Sequence, residues 1–221
     1  MKTSGNTPII IDAPAKLTLS LRVTGVREDG FHLIDAEMVS LDLADTLTIT
    51  PGGNGVSLDG PFGDGVATDS SNLVSRALSL TGRNAHVHIT KNIPSGGGLG
   101  GGSADAAAIL NWAGFTDLET ASRLGADVPF CMIGGRARVR GIGEAIDILP
   151  PVQRKITLVI PPFGVSTPAV YRAWDDLAKT GNNTTNDQND LQQAALIVEP
   201  RLIEWHDKIA QACGQAPVLA G

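Results

Sequence analysis

Six of the seven residues from Gly96 to Gly102 are glycine, with only Leu99 interrupting them, and Ser103 follows directly. Upstream, Ala85, Val87 and Ile89 alternate with His86, His88 and Thr90, the period of two that marks a strand. Downstream, Ala106, Ala107, Ala108, Ile109 and Leu110 continue a helix that starts near Ser103. Glycines between a strand and a helix let main-chain amides approach an anion closely at a helix N-terminus, and the natural guest is a phosphate. A flexible linker is the plainer reading of such a run, and the well-formed elements on both sides argue against it.

Two familiar phosphate loops fit poorly. Gly96-x-Gly98-x-x-Gly101 has the form of a dinucleotide fingerprint, but the chain ahead of it does not open a βαβ unit. There, Ala15, Leu17, Leu19, Leu21 and Val23 alternate with Lys16, Thr18, Ser20 and Arg22, so Lys16 and Thr18 share the polar face of a half-buried strand. Leu33 to Leu43 and Thr46 to Thr50 extend this into an antiparallel meander. A Walker loop would end in Gly-Lys-Ser/Thr, whereas Gly102 runs straight into Ser103, so a phosphate-reaching lysine must come from elsewhere in the chain.

Pro51 to Asp69 reads as a hairpin plus loop, and Ser70 or Ser71 as the cap of a short helix carrying Leu73, Val74, Ala77 and Leu78. Leu118 to Leu124 reads as a further helix, broken by Gly125-Ala126-Asp127-Val128-Pro129. Phe130 to Arg140 and Ala145 to Leu149 have the look of short strands. Pro150-Pro151 is the best boundary between two domains, because Ile156 to Ile160 opens a new strand and Thr167-Pro168 starts a helix. Gly181 to Asn189 is a polar linker, Asn189 caps the helix of Leu191 to Val198, and Arg201 to Cys213 forms another.

Seventeen Lys and Arg against 23 Asp and Glu, a net charge of -6, leave no cationic surplus for a nucleic-acid backbone. No stretch reaches membrane-spanning length, and the apolar run before Ala13-Pro14-Ala15 is too short for an export signal. Cys131 and Cys213 are too few for a disulfide framework, and a reducing cytoplasm is the expected compartment. His86 and His88 share a strand face but lack a third metal ligand at a useful spacing, so no metal site is expected there. His206, among Ile203, Trp205 and Ile209, reads as structural.

Four ordered segments resemble one enzyme family: Pro14-Ala15-Lys16-Leu17; Arg27-x-Asp29-Gly30-Phe31-His32-x-Ile34; Pro94-x-x-Gly97 through Ser103-Ala104-Asp105-Ala106-Ala107; and Leu124-Gly125-Ala126-Asp127-Val128-Pro129-Phe130. Together with Gly141-x-Gly143-Glu144, Val165-Ser166-Thr167, Tyr171 and Asn189-Asp190-Leu191, they are similar to the 4-diphosphocytidyl-2-C-methyl-D-erythritol kinases of the GHMP kinase superfamily. The resemblance implies an α+β, two-domain GHMP kinase fold. Residues 1–150 would form a nucleotide-binding domain like domain 2 of ribosomal protein S5, and residues 151–221 an incomplete ferredoxin-like domain. It also implies ATP and Mg²⁺ as cofactors, and transfer of the γ-phosphoryl to the 2-hydroxyl of a cytidine-diphospho sugar alcohol in non-mevalonate isoprenoid synthesis.

The resemblance assigns roles residue by residue. Lys16 would sit beside the acceptor hydroxyl and the transferring phosphate, and Asp127 would accept or orient the hydroxyl proton. Pro94, Gly96, Gly97, Gly98, Leu99, Gly100, Gly101, Gly102 and Ser103 would hold the phosphates, with Asn72, Leu73 and Lys91 around the adenine. Phe31 and Tyr171 would sandwich the cytosine, His32 would read it, and Thr18 would contact the acceptor. The sequence departs from the family at Thr18, where asparagine is usual, and at Ala104, where a second serine is usual. A third glycine-rich motif expected near Pro217 to Leu219 does not appear before Gly221, so a truncation of a longer protein or a short nucleotide-binding pseudoenzyme stands as one alternative. Another small-alcohol GHMP kinase is the other, and Phe31, His32 and Tyr171 argue against it because such acceptors have no base to stack.

Overall fold

A computed structural model describes residues 7–182 and 188–220. Strands β1 (Ile9–Val26) and β2 (His32–Pro51) form a long antiparallel hairpin. Its turn carries Gly30 at φ 86°, a conformation that a side chain would oppose. Leu33 to Leu43 and Thr46 to Thr50 therefore belong to one continuous strand. Along its opposite edge, β2 pairs first with β5 (Arg136–Gly141) through Ile34 to Val39 and then with β4 (Ala85–Thr90) through Thr46 to Pro51. Between these two ladders, residues 40–45 pair with neither strand, and this gap is where β4 runs out into the glycine loop.

β3 (Val56–Asp59) lies parallel to β4, and β6 (Ala145–Ile148) closes the other end beside β5. The parallel pairing corrects the hairpin expected after Pro51, since the chain returns through α1 (Leu73–Thr81) instead of turning back on itself. Asn72, not Ser70 or Ser71, caps that helix, its side chain accepting from Val74 N. α2 (Gly101–Trp112) packs against α1, β1 and β2. Its buried residues Ala104, Ala106, Ala107 and Ala108 bring it close to Leu47, Ile49, Val87 and Ile89. Short side chains let a helix approach a sheet closely without voids.

Phe130 to Arg140 is not one strand. After α3 (Leu118–Ser122), Pro129 seats a short helix, α4 (Val128–Ile133), before Gly134 and Gly135 turn into β5. The Gly125–Pro129 segment thus starts a helix as well as ending one, as a proline in the first turn permits. A second core lies at the other end of the sheet. There Leu21, Ala36, Met38 and Val139 meet Val170 and Trp174 of α5 (Thr167–Lys179) and Ala194 and Ala195 of α6 (Gln192–Val198). A bridge from Leu21 to Asn189 ties this layer to β1, and Asp190 accepts from Val23 N at 2.9 Å. α7 (Arg201–Cys213) follows.

The strand expected over Ile156 to Ile160 does not form: these residues have no ladder partner among the described residues, and Ile156 and Val159 are exposed. Part of the expected Gly181 to Asn189 linker lies outside the described residues. Among the described residues no helix is long and apolar enough to cross a membrane.

Candidate active site

Lys16 enters the site because β1 is irregular around it. Register shifts fall between Pro14 and Lys16 and between Thr18 and Ser20, and such bulges re-aim side chains. Ala15 to Thr18 are all buried, so the polar face expected to be half-exposed is covered. The cover is the glycine loop, whose Leu99 O accepts from Lys16 N at 2.9 Å. Gly100 lies so close that a Cβ built there would stand 2.7 Å from Lys16 Cγ.

The ammonium of Lys16 reaches two groups. Its Nζ is 3.3 Å from Asp127 Oδ2 and donates to Thr18 Oγ1 at 3.3 Å. Asp127 is the N-cap of α4, but its side chain makes no capping bond, which leaves the carboxylate to the site. The lysine side chain is 4% exposed and the aspartate 31%. The pair therefore offers its carboxylate to the open side while the ammonium stays screened from water.

Beside this pair the loop turns through positive φ at Gly96, Gly98 and Gly100. Gly100 then caps α2 with no side-chain bond, so the first amides of the helix have no side chain of their own to satisfy them. The hydroxyl of Ser103 lies against Gly125, 3.5 Å from the position of a Cβ there, beside the turn that carries Asp127. Loop, ammonium, carboxylate and hydroxyl converge on one side of the sheet.

Leu99 faces the other way. It is buried with Ala15, Leu17 and Ile93, so its side chain anchors the loop and does not line it. Asn72 is occupied in capping, its Nδ2 donating to Ala67 O at 2.6 Å, and Leu73 packs into the main core next to Gly102.

Lys91 is also turned inward. Its Nζ binds Asp45 Oδ2 and stands 2.7 Å from Asp105 Oδ2, all three groups being buried. Its main chain is engaged as well, with N donating to Asp59 O and O accepting from Phe62 N. The side chain is therefore held inside the fold by its two carboxylates. Asp45 Oδ1 also accepts from Asn92 N at 2.6 Å and Ile93 N at 2.8 Å. This cluster ties the sheet, the entrance of the glycine loop and α2 together. Asp105 Oδ1 is buried without a partner, and burial pushes its carboxyl up to about 7 against the pull of Lys91.

The aromatic group gathers at the far end of the hairpin. Phe31 is 58% exposed, a freely presented ring. The His32 and Tyr171 rings lie with centroids 4.5 Å apart, and Trp174 meets His32 edge-on at 5.7 Å. Burial first, then the negative charge of Asp127, push the Tyr171 hydroxyl up to about 12. Asp175, which binds His32, and the Asp45–Asp105 couple were not singled out from sequence. For Asp105 the signal was present, a lone carboxylate in a run of alanines. His86 and His88 both contact Ser57 Oγ, at 3.2 and 3.0 Å. Among the described residues no group of three His, Cys, Asp or Glu side chains could hold a metal ion.

A strand–glycine loop–helix unit with a lysine and an aspartate brought to it from other elements defines a GHMP-type kinase site, and the GHMP kinases N terminal domain matches residues 72–135. The 4-diphosphocytidyl-2-C-methyl-D-erythritol kinase of Paracoccus denitrificans is 49% identical over 166 residues, 73% of this chain and 59% of that one. The enzyme of the same name from Ruegeria pomeroyi is 38% identical over 213 residues, 85% of this chain and 76% of that one. A crystal structure of 4-(cytidine 5'-diphospho)-2C-methyl-D-erythritol kinase superposes with a TM-score of 0.66 at 31% identity, over 93% of this chain and 84% of that one. The chain belongs to the 4-diphosphocytidyl-2-C-methyl-D-erythritol kinase family. It spans less than two thirds of the Paracoccus relative.

Proposed function

We propose that the chain transfers the γ-phosphoryl group of ATP to the 2-hydroxyl of 4-diphosphocytidyl-2-C-methyl-D-erythritol. The observation that carries this reading is the 3.3 Å pairing of Lys16 with Asp127 beside the glycine loop. Phosphoryl transfer asks a protein chiefly for positioning and charge stabilisation. Asp127 orients the acceptor hydroxyl and takes its proton as the new oxygen–phosphorus bond forms and the bond to ADP breaks. Lys16 offsets the negative charge gathering on the phosphoryl oxygens, and the bare amides of Gly100 to Gly102 with the Ser103 hydroxyl hold the phosphate chain. Phe31 and Tyr171 supply stacking surface for the cytosine, His32 a polar edge, and Thr18 a hydroxyl near the acceptor.

Magnesium fits this donor set. Mg²⁺ characteristically binds through one or two protein oxygens plus substrate phosphates and its own waters, not through an all-protein cage, and Ser103 and Asp127 are the side-chain oxygens at hand. When bound it would neutralise phosphate charge. We read residues 1–150 as the nucleotide-binding domain and 151–221 as the second domain, whose α5 brings Tyr171 to the site. Two unpaired cysteines, Cys131 and Cys213, support a reducing, cytoplasmic setting.

The test is ³¹P NMR of the protein with ATP, Mg²⁺ and the cytidylyl alcohol. A new phosphomonoester resonance appearing with ADP supports the reading, and ADP formation that is independent of the acceptor overturns it.

A further inference from the structure

Asp175 stands one helical turn after Tyr171 on α5, and its Oδ1 lies 2.7 Å from His32 Nε2. With Tyr171 tilted against the ring at 4.5 Å between centroids and Trp174 meeting it edge-on, the imidazole is held on three sides. A carboxylate only accepts hydrogen bonds, so in the neutral ring Nε2 carries the hydrogen and Nδ1 is left as a bare acceptor. Nδ1 has no partner among the described residues and is not one of the enclosed unpaired atoms, so it is open to a ligand. A bare acceptor needs an N–H opposite it. The 4-amino group of cytosine provides one, whereas the 4-oxo group of a uracil-type base would set lone pair against lone pair.

We infer that Asp175 is a positioning residue for base specificity: by fixing the tautomer and orientation of the His32 ring, it makes the site select a 4-aminopyrimidine over a 4-oxopyrimidine. This rests on the cytidylyl reading above and adds the residue that enforces it. The same logic operates where a metal-bound or catalytic histidine is oriented through its second nitrogen, here applied to reading a base. Asp175 is partly exposed, so its replacement leaves the core intact.

The experiment compares kcat/KM for the cytidine- and uridine-diphospho forms of the acceptor at about pH 8, well above the usual imidazole range. Wild type, Asp175→Ala and Asp176→Asn are assayed, the last being a neighbour whose side chain among the described residues bonds to Lys179. Asp175→Ala should lose about tenfold of the preference for the cytidine form, with the KM for ATP and the Tm little changed, while Asp176→Asn keeps the wild-type ratio. A ratio that stays within about twofold of wild type in Asp175→Ala, or a wild type that accepts both forms equally, overturns the inference. Wild type that turns over neither acceptor would instead refute the proposed function. In that event the ¹⁵N shifts of the His32 ring decide the inference: an Nε2-protonated ring that loses its fixed state in Asp175→Ala supports it, and an Nδ1-protonated ring overturns it.

Discussion

The Lys16 ammonium faces the Asp127 carboxylate at 3.3 Å, the first from the irregular stretch of β1 and the second from the cap of α4. Neither element alone would present a charged group there. The bulges of β1 turn the lysine under the glycine loop, and the Gly125–Pro129 turn holds the aspartate above it. A buried ammonium is costly to maintain unless it is paired, so its persistence beside Asp127 and Thr18 marks a place where charge is needed.

Gly100 tests how tightly the loop holds that lysine. At φ 68° a side chain is strained, and a Cβ would press on Lys16 Cγ. Gly100→Ala should lower the stability by about 1–2 kcal/mol from the backbone alone and reduce kcat at least tenfold by displacing the ammonium. Gly114→Ala is the control, with a similar φ of 74° and nothing within 4 Å. It should show the stability loss in thermal unfolding without the kinetic one.

Asp105 gives a pH dependence with a definite sign. Its folded value of about 7 lies above the ordinary 3.8, so between those values the folded chain holds a proton that the unfolded chain has released. Stability from this group is greatest at low pH and is lost as pH rises through that window. Asp105→Asn cannot ionise. Measured by denaturant unfolding at about pH 5 and about pH 8, the difference in stability between variant and wild type should move in the variant's favour at the higher pH. A difference independent of pH would contradict the buried, proton-holding carboxyl.

Phe31 separates base stacking from packing. Because its ring is largely exposed, Phe31→Ala should change stability by no more than about 0.5 kcal/mol. It should nonetheless raise the KM for a cytidylyl acceptor roughly tenfold or more, as loss of base–aromatic stacking does, while the KM for ATP stays put. Equal effects on both substrates would remove Phe31 from the base site.

Much of this was legible in the sequence. Alternation located β1 and β4, the glycine run located the loop and the start of α2, and the motif resemblance named Lys16 and Asp127. What failed did so for tertiary reasons. Periodicity placed Lys16 and Thr18 on a polar face correctly but could not say that the loop would cover it. Phe130 to Arg140 is apolar enough for a strand, and only the proline and the two glycines divide it into helix and strand. Ile156 to Ile160 has strand composition, yet a strand needs a ladder partner, and none of the described residues supplies one. The pairing of Lys91 with Asp45 and Asp105 could not be read from the sequence because Asp45 is distant in the chain. Asp175 was invisible because its partner lies across the fold on β2.

Single-turnover phosphoryl transfer to the cytidylyl alcohol, in wild type and in Lys16→Met and Asp127→Asn, is the most direct measurement. Removing a preorganised charge at the transferring group should slow the chemical step about 100-fold or more in each variant, with ATP binding retained and the double variant little worse than either single one. Transfer within about tenfold of wild type in either folded variant would contradict the account, because the phosphoryl group would then be moving without the pair around which the site is built.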